Sequence, residues 1–322
     1  MHRNFLRALA CATALLAGTA HADSYPSKPV SMIVPYPAGG ATDVVARAVA
    51  EKLTQSWGQS VIVENRAGAG TTIGASSVAR APGDGYTLFM TTSAHTISGH
   101  LYKKLNYDPV KDFAPITLIT RVPLVLVVNP AVPAKTLQEF LAYLKQNGGS
   151  VNFASPGNGT AQHLSGELFK IATKSGITHV PYRGDAPAFT DLAGGQVQMM
   201  LATITSALPL IESGKLRALA VANGKRVQAL RDVPTFAEAG MPGFEAATWF
   251  GLLAPASLPP AQAQRIYEDV SKIVATPAMQ ARLESLGGEV VNSTPQEFAA
   301  FMSREQEKWG QAVKASGAVA AQ

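Results

Sequence analysis

The chain has 322 residues and a formal net charge of +5, with 27 Lys and Arg against 22 Asp and Glu. Its basic residues are dispersed and have no interleaved aromatic side chains, which argues against a nucleic-acid-binding protein, whereas a slight positive excess fits the attraction of small anions. The single cysteine, Cys11, lies close to the N-terminus, so the rest of the chain depends on its hydrophobic core without disulfides.

The first 22 residues have the pattern of an export signal. Arg3 and Arg7 precede an apolar run at residues 8–18, and residues 20–22 read AHA, an A-x-A cleavage site. The apolar run is too short for a membrane anchor, which needs about 20 residues, and a lipoprotein anchor at Cys11 lacks a good lipobox. We therefore predict a cleaved signal peptide over residues 1–22 and a mature protein that is soluble outside the cytoplasm.

Strand-like and helical segments alternate along the remaining chain. Short β-branched runs predict strands, and apolar residues at helical spacing lie between them. The predicted strands, in chain order, are VSMIV, SVIVE, YTLFMTT, PLVLVVN, VNFAS, ITHVPY, VQMMLA, LRALAV and GLLAP. Alternation of this kind predicts an α/β fold with mainly parallel sheets flanked by helices.

A strand, a glycine loop and a helix follow one another twice, in IVPYPAGGATDVVARAVAEKL and in VNFASPGNGTAQHLSGELFKI. Two lobes that each present a glycine-rich helix start make a natural pincer around one ligand. The helical segment after Pro259 has no room in the second lobe and is expected to return to the first. We predict lobe 1 over residues 23–125 and 246–322, lobe 2 over residues 126–245, and two crossover hinge segments.

The first glycine loop, residues 35–43, favours a carboxylate ligand. Gly39 and Gly40 would present backbone N–H groups at the start of a helix, where anions bind. The Lys and Ser or Thr that follow the glycines of a polyphosphate loop are missing, and Asp43 places a negative charge in the first helical turn. The alternative is an ordinary turn in which Asp43 caps the helix.

The second glycine loop, residues 155–163, repeats this pattern. Its glycines permit positive φ, Thr160 is a natural helix cap, and Ser155 and Asn158 offer side-chain hydrogen bonds. Alone it is an ordinary turn, but paired with the first loop it indicates half of a ligand site. His163, one turn into the helix, fits a structural hydrogen-bonding role better than a catalytic one.

The other motifs indicate binding rather than chemistry. AGAGTTIGA has a G-x-G-x-x-x-G spacing that departs from a dinucleotide fingerprint, so it is interpreted as a rim turn of lobe 1. In VPYRGDAPAF, Asp185 would either meet an ammonium group or cap its own helix, and TTSAH places hydroxyls near the cleft. No G-x-S-x-G or H-E-x-x-H motif is present and the histidines do not cluster, so we predict no metal and no cofactor.

With these motifs in view, the sequence resembles the Bug-type extracytoplasmic solute receptors of the tripartite tricarboxylate transporter system. The resemblance spans nearly all of the chain after the signal, and it is strongest in YPSKPVSMIVPYPAGGATDVVAR, NFASPGNGTAQHLSGELF and VPYRGDAPAFTDLAGGQVQMM. It implies a two-lobed periplasmic-binding-protein (Venus-flytrap) fold that closes on a small carboxylated solute and hands it to a membrane permease, without catalysis. We expect the receptor to act as a monomer.

The resemblance also implies the ligand contacts. They are Tyr36, Ala38, Gly39, Gly40 and Asp43 in lobe 1, Ser155, Gly157, Asn158, Gly159 and Thr160 in lobe 2, and Thr92, Ser93, Gly184 and Asp185 at the rim. Departures from the family pattern at Ala67, Thr71 and near Thr203 leave the acid open among dicarboxylates, tricarboxylates, amino acids and aromatic acids. Trp249 is expected to wall the pocket.

Two alternatives remain open from the residues. The first is a periplasmic hydrolase or transferase that acts on a carboxylated substrate, with Ser155 or His163 as the reactive group. The second is a sensor that reports the ligand to a membrane kinase, since the same binding and closing would serve both purposes.

Overall fold

The computed structural model describes residues 25–318. The predicted signal peptide over residues 1–22 lies outside the described residues. Within residues 25–318, none of the helices combines the length and apolar character that crossing a membrane requires.

Between residues 25 and 318 the chain forms ten strands and ten α-helices. The strands are β1 (Val30–Val34), β2 (Val61–Asn65), β3 (Thr87–Thr92), β4 (Phe113–Val128), β5 (Asn152–Ser155), β6 (Thr178–Pro181), β7 (Met199–Thr203), β8 (Arg217–Val221), β9 (Ala247–Pro255) and β10 (Glu289–Val290). The helices are α1 (Ala41–Trp57), α2 (Thr72–Ala79), α3 (Ser93–Leu101), α4 (Leu137–Asn147), α5 (Ala161–Thr173), α6 (Asp185–Ala193), α7 (Ile204–Glu212), α8 (Pro260–Val274), α9 (Pro277–Ser285) and α10 (Pro295–Ser316).

Local sequence explains where several helices begin and end. Gly58 adopts a left-handed φ of 65° after α1, and its N–H donates to Thr54 O, a common helix C-cap. Thr160 caps α5 by accepting a hydrogen bond from the His163 N–H. Thr294 and Glu297 form a reciprocal capping box at the start of α10.

The strands form two sheets that share one long strand. In the first sheet the order is β2-β1-β3-β9-β4, with β10 beside β4. In the second sheet β7, β5 and β6 follow β4, and β8 pairs with β4 as well. Residues 113–123 of β4 pair with β9, whereas residues 124–128 pair with β7 and β8. Strand β4 therefore passes from one sheet into the other.

The sheets are mixed, and this corrects the expectation of mainly parallel sheets, although the α/β class is confirmed. Parallel pairing is confined to β2-β1-β3 and to β6-β5-β7. The long strands β4 and β9 run antiparallel to each other and to their neighbours. Strand β4 also begins at Phe113, ten residues before the predicted start at Pro123, because sheet pairing with β9 and β10 overrides Pro115, Arg121 and Pro123.

The passage between the sheets is buried and hydrogen-bonded. The Leu124 N–H donates to Ala246 O at 2.9 Å, and the Ala222 N–H donates to Leu124 O at 2.8 Å. Every residue from Leu124 to Val128 is fully buried. The second passage, from Ala246 into β9, lies beside the first, so the two crossings form one narrow connection.

The C-terminal helices pack on the first sheet's helices. Helix α8 contacts α1, and the Trp57 indole N–H donates to Asp269 Oδ2 at 2.9 Å. Helix α10 contacts α3 and also reaches α5. An apolar cluster joins these three helices and consists of Ile97, Leu101, Ala161, Leu164, Trp309, Ala312 and Val313.

Candidate functional site

A cleft between the two sheets holds two adjoining cavities. The inner cavity is small and is lined by Tyr36, Pro37, Gly40, Ala41, Thr42, Thr92, Pro156, Gln162, Asp185, Thr203, Thr248 and Phe250. The outer cavity is much larger and is lined by residues 35–37 and 67–71, by Tyr102, by Pro156, Gly157, Asn158 and Thr160, and by residues 181–184. Each cavity thus draws its walls from both sheets.

Across the mouth of the cleft, the two sides touch. The backbone of Gly184 lies so close to Pro37 that a Cβ at Gly184 would stand 3.0 Å from Pro37 Cγ. Likewise, a Cβ at Gly159 would stand 2.7 Å from Leu101 Cδ2. The structure is therefore a closed form of the cleft.

The first glycine loop is held from behind by Asp43. Its carboxylate accepts hydrogen bonds from the Gly39 N–H at 3.0 Å, from Arg47 Nε at 2.9 Å and from Asn65 Nδ2 at 2.9 Å. Burial raises the pKa of Asp43, but the three donors outweigh it and hold the pKa below its usual value. Asp43 and Gly39 line neither cavity, so both shape the loop from its rear.

The start of α1 already carries an anion, and that anion belongs to the protein. The Ala41 N–H donates to Asp185 Oδ2 at 3.2 Å, and Ser206 Oγ donates to the same oxygen at 2.8 Å. The expectation that Asp185 caps its own helix is therefore wrong. Its side chain extends across the cleft from the start of α6 and bonds to α1, because Gly184, at φ 108°, turns the chain toward Pro37.

Burial raises the pKa of the Asp185 carboxyl above its ordinary value, and the bonds from Ser206 and Ala41 offset only part of that shift. The second carboxylate oxygen, Oδ1, is buried and has no hydrogen-bond partner within residues 25–318. This oxygen is a hydrogen-bond acceptor whose donor is missing among the described residues.

The second glycine loop presents only part of itself to the cleft. Thr160 Oγ1 donates to Gly157 O at 2.8 Å, while Ser155 Oγ accepts from the Gly157 N–H at 3.2 Å. Ser155 is fully buried, and the Gly159 N–H donates to His163 Nδ1 at 3.2 Å. The loop thus offers Gly157, Asn158 and Thr160 to the outer cavity, with Ser155 and Gly159 behind them.

The structure brings together two histidines that the sequence analysis treated as unclustered. The His163 and His179 rings stack with centroids 4.0 Å apart at an interplanar angle of 20°, and Glu167 is close enough to complete a group with ligand atoms within 4.8 Å. Burial lowers the pKa of His163 to about 4 and that of His179 to about 3. In stacked rings the nitrogen lone pairs run side by side rather than converging on one ion, so this pair fits a structural role.

Ser155 and His179 also form a hydrogen-bonded pair, with Oγ and Nε2 separated by 2.7 Å. A nucleophile and base at this distance are suggestive of catalysis. Neither residue lines a cavity, however, and Ser155 has no exposed surface. The pair therefore stiffens the second loop.

Several hydroxyl-bearing side chains line the inner cavity. The Tyr36 hydroxyl lies 3.2 Å from Thr92 Oγ1, which also accepts from the Ala94 N–H. Ser93, fully buried, supports Thr248 through a 3.1 Å contact between their hydroxyls. Burial raises the pKa of Tyr36, so its hydroxyl stays protonated and able to donate.

Some cavity residues were missed by sequence reasoning. Trp249 does not wall the pocket; it is 1% exposed and packs against Phe298 and Phe301. The next residue, Phe250, lines the inner cavity instead, because successive side chains of a strand point to opposite faces. Gln162, the second residue of α5, and Thr203, at the end of β7, could have been found from the rule that ligand sites form at strand ends and helix starts.

Comparison with known proteins identifies the family. The TctC family model, described as a tripartite tricarboxylate transporter family receptor, matches residues 45–318. The chain belongs to this family. TctC-family receptors are periplasmic substrate-binding proteins of transport systems rather than enzymes, and the fold and the Bug-type resemblance are confirmed.

Several solved structures are closely similar to this one. The periplasmic binding protein BugD is 37% identical, with a TM-score of 0.87, covering 92% of this chain and 99% of that chain. An R. palustris protein solved with adipate is 35% identical, with a TM-score of 0.89, covering 92% and 99%. MatC from Rhodopseudomonas palustris, with bound malate, is 34% identical, with a TM-score of 0.84, covering 90% and 100%.

Proposed function

We propose that this receptor captures a small carboxylated organic solute in its cleft and delivers it to the membrane permease of a tripartite tricarboxylate-type transporter. The observation that carries the proposal is the pair of glycine-rich helix starts, at α1 and α5, whose loops line one cleft from opposite sides. Helix N-termini attract carboxylates through their N–H groups and the helix dipole; the start of α1 already holds the Asp185 carboxylate, and the start of α5 remains available to a solute carboxylate. The adipate and malate in two relatives support the same chemical class.

The predicted site residues divide into two proposed roles. Those that line a cavity would touch the solute, namely Tyr36, Gly40, Thr92, Gly157, Asn158, Thr160, Gly184 and Asp185. Those behind the lining would fix the loops, namely Ala38, Gly39, Asp43, Ser93, Ser155 and Gly159. The second group lines neither cavity. Gly39, Asp43, Ser155 and Gly159 make hydrogen bonds within their own loops and helix starts, and Ser93 contacts the Thr248 hydroxyl.

The proposed mechanism is closure of two lobes about the paired crossings. We place lobe 1 at residues 23–125 and 246–322 and lobe 2 at residues 126–245, because β4 changes partners between Pro123 and Leu124. A solute that contacts both glycine loops would favour the closed form over the open one. Export through a cleaved signal peptide over residues 1–22, and action as a monomer, complete the proposal.

A thermal-shift screen of dicarboxylates, tricarboxylates, amino acids and aromatic acids tests the proposal. Gly40→Val should abolish the shift produced by the best acid, since a Cβ at Gly40 would lie 3.1 Å from Asp185 Oδ2 inside the cleft. Gly149→Val is the matched control, because a Cβ there meets no atom of residues 25–318 within 4 Å. An undiminished shift in Gly40→Val, or a screen in which no acid stabilises the protein, would overturn the proposal.

A further inference from the structure

The charges that line the cleft differ between its two ends. Among the described residues lining the inner cavity, Asp185 alone is charged. In the lining of the outer cavity, within the described chain, the one charged residue is Arg183. The two stand two positions apart in the sequence, on either side of Gly184. A solute that spans both cavities therefore meets a negative charge at its inner end and a positive charge at its outer end.

Asp185 is fixed in place and incompletely satisfied. Its Oδ2 accepts hydrogen bonds from the Ala41 N–H and from Ser206 Oγ, while its Oδ1 is buried without a partner among residues 25–318. A buried carboxylate oxygen without a donor is costly, since it has lost the hydrogen bonds of water. A donor group that reaches Oδ1 would remove this cost.

A second carboxylate is poorly suited to this end of the cleft. No lysine or arginine of residues 25–318 lines the inner cavity, so two carboxylates would face each other without a counter-charge in a low-dielectric space. The start of α1, the other attractive feature for an anion, is already bonded to Asp185 through Ala41. A solute carboxylate would have to displace Asp185 first.

A protonated amino group matches the hydrogen-bond acceptors that line the inner cavity. An ammonium has three donors and no acceptor. Asp185 Oδ1 can take one donor, and the hydroxyl oxygens of Tyr36, Thr203 and Thr248, which line the same cavity, are acceptors for the others. At the outer end, the loop before α5 and Arg183 remain available to a carboxylate.

Building on the proposed function, we propose that Asp185 selects solutes that carry an ammonium group at one end and a carboxylate at the other. The ammonium would bond to Asp185 Oδ1 in the inner cavity. The carboxylate would bind in the outer cavity, at the loop of Gly157 to Thr160 and near Arg183. Asp185 is thus a specificity-determining residue of the receptor.

Isothermal titration calorimetry with two matched series tests this selectivity. The first series is succinate, glutarate and adipate, and the second is 4-aminobutanoate, 5-aminopentanoate and 6-aminohexanoate. At the best-fitting length the amino acid should bind at least tenfold tighter than the dicarboxylate with the same number of carbons. Asp185→Asn should weaken the amino acid at least tenfold and leave the dicarboxylate unchanged or tighter.

Asp232→Asn is the control. Asp232 lies in the same proposed lobe, is exposed and lines neither cavity, so its replacement should leave both affinities unchanged. Asp185→Ser serves as a second variant, and melting temperatures verify that each variant is folded.

Three outcomes would overturn the assignment. They are tighter binding of the dicarboxylate series, equal losses in Asp185→Asn and Asp232→Asn, and failure of both series to bind the unaltered protein. The first two leave the proposed function standing, since a carboxylated solute still binds. In the third outcome, the wider acid screen shows which proposal has failed. If some other carboxylate still stabilises the receptor, the proposed function stands and only the role of Asp185 is wrong.

Discussion

Gly40→Ala is a substitution that acts only when the cleft is closed. Gly40 has an ordinary extended backbone, with φ −81° and ψ 170°, so alanine causes no backbone strain there. The three atoms nearest to a Cβ at this position all belong to Asp185, on the opposite side of the cleft, and the nearest is Oδ2 at 3.1 Å. The added methyl therefore pushes first against the Asp185 carboxylate.

The size of the effect follows from the bond that the methyl disturbs. Asp185 Oδ2 accepts from the Ala41 N–H at 3.2 Å, a length with little margin for further stretching. Losing one hydrogen bond to a charged group costs about 2 kcal/mol, which is about a 30-fold decrease in the ratio of closed to open molecules. If solute binding requires closure, its Kd should rise by the same factor.

A double-mutant cycle with Asp185→Ala isolates this contact. Titration calorimetry gives Kd for Gly40→Ala, for Asp185→Ala and for the double variant, and small-angle X-ray scattering reports closure through the radius of gyration. In the Asp185→Ala background the carboxylate is gone and the Cβ of residue 185, at 3.8 Å, is at ordinary contact distance, so Gly40→Ala should no longer change Kd. An equal weakening in both backgrounds would refute the reasoning, and any loss of α1 capping would show in the melting temperature alone.

The remaining predictions concern stability. Burial holds the pKa of His163 at about 4 and of His179 at about 3, below the ordinary 6.5. Between pH 6.5 and 4 the unfolded chain therefore binds more protons than the folded chain. Urea titrations should show that the unfolding free energy falls over this range, by about 3 kcal/mol for His163 alone. Gly184→Ala, at φ 108° and against Pro37, should cost about 1–3 kcal/mol in chemical denaturation. Trp309→Ala, at a 1% exposed site, should cost about 3–5 kcal/mol by the same measurement.

For each of these three stability predictions, one result would contradict it. A free energy of unfolding that stays constant down to pH 4, or that rises, would mean that the two histidines titrate normally. Full stability in Gly184→Ala would show that the loop tolerates another backbone conformation. A loss below about 1 kcal/mol in Trp309→Ala would mean that the cluster between α3, α5 and α10 is not well packed.

The local features of the site were predictable, and the long-range ones were not. A strand, a glycine loop and a helix follow one another within about twenty residues, so this motif can be recognised from local sequence alone. The loops before α1 and α5 and the helix cap at Thr160 were predicted in this way. Which side chains complete the cavities depends on strand partners far away in the sequence. Thr248 and Phe250, for example, enter the cleft only because β9 pairs with both β3 and β4.

Two errors have identifiable physical causes. The alternation of β9 turns Trp249 into the core and Phe250 into the cleft, and the strand's phase cannot be fixed from its own apolar residues, since nearly all of β9 is buried. Asp185 was predicted to cap its own helix because it lies at the start of α6. Its actual partner, Ala41, is 144 residues away, and such a contact depends on how the two sheets meet.

The central claim is that the receptor binds a carboxylated solute and leaves it unchanged. The most direct measurement is the unfolding free energy with and without the best acid from the screen, with the acid then recovered and analysed by NMR. At 100 times its Kd the acid should add about 2.7 kcal/mol of stability and be recovered intact. No stabilisation by any carboxylate, or steady conversion of the acid to a product, would contradict the account.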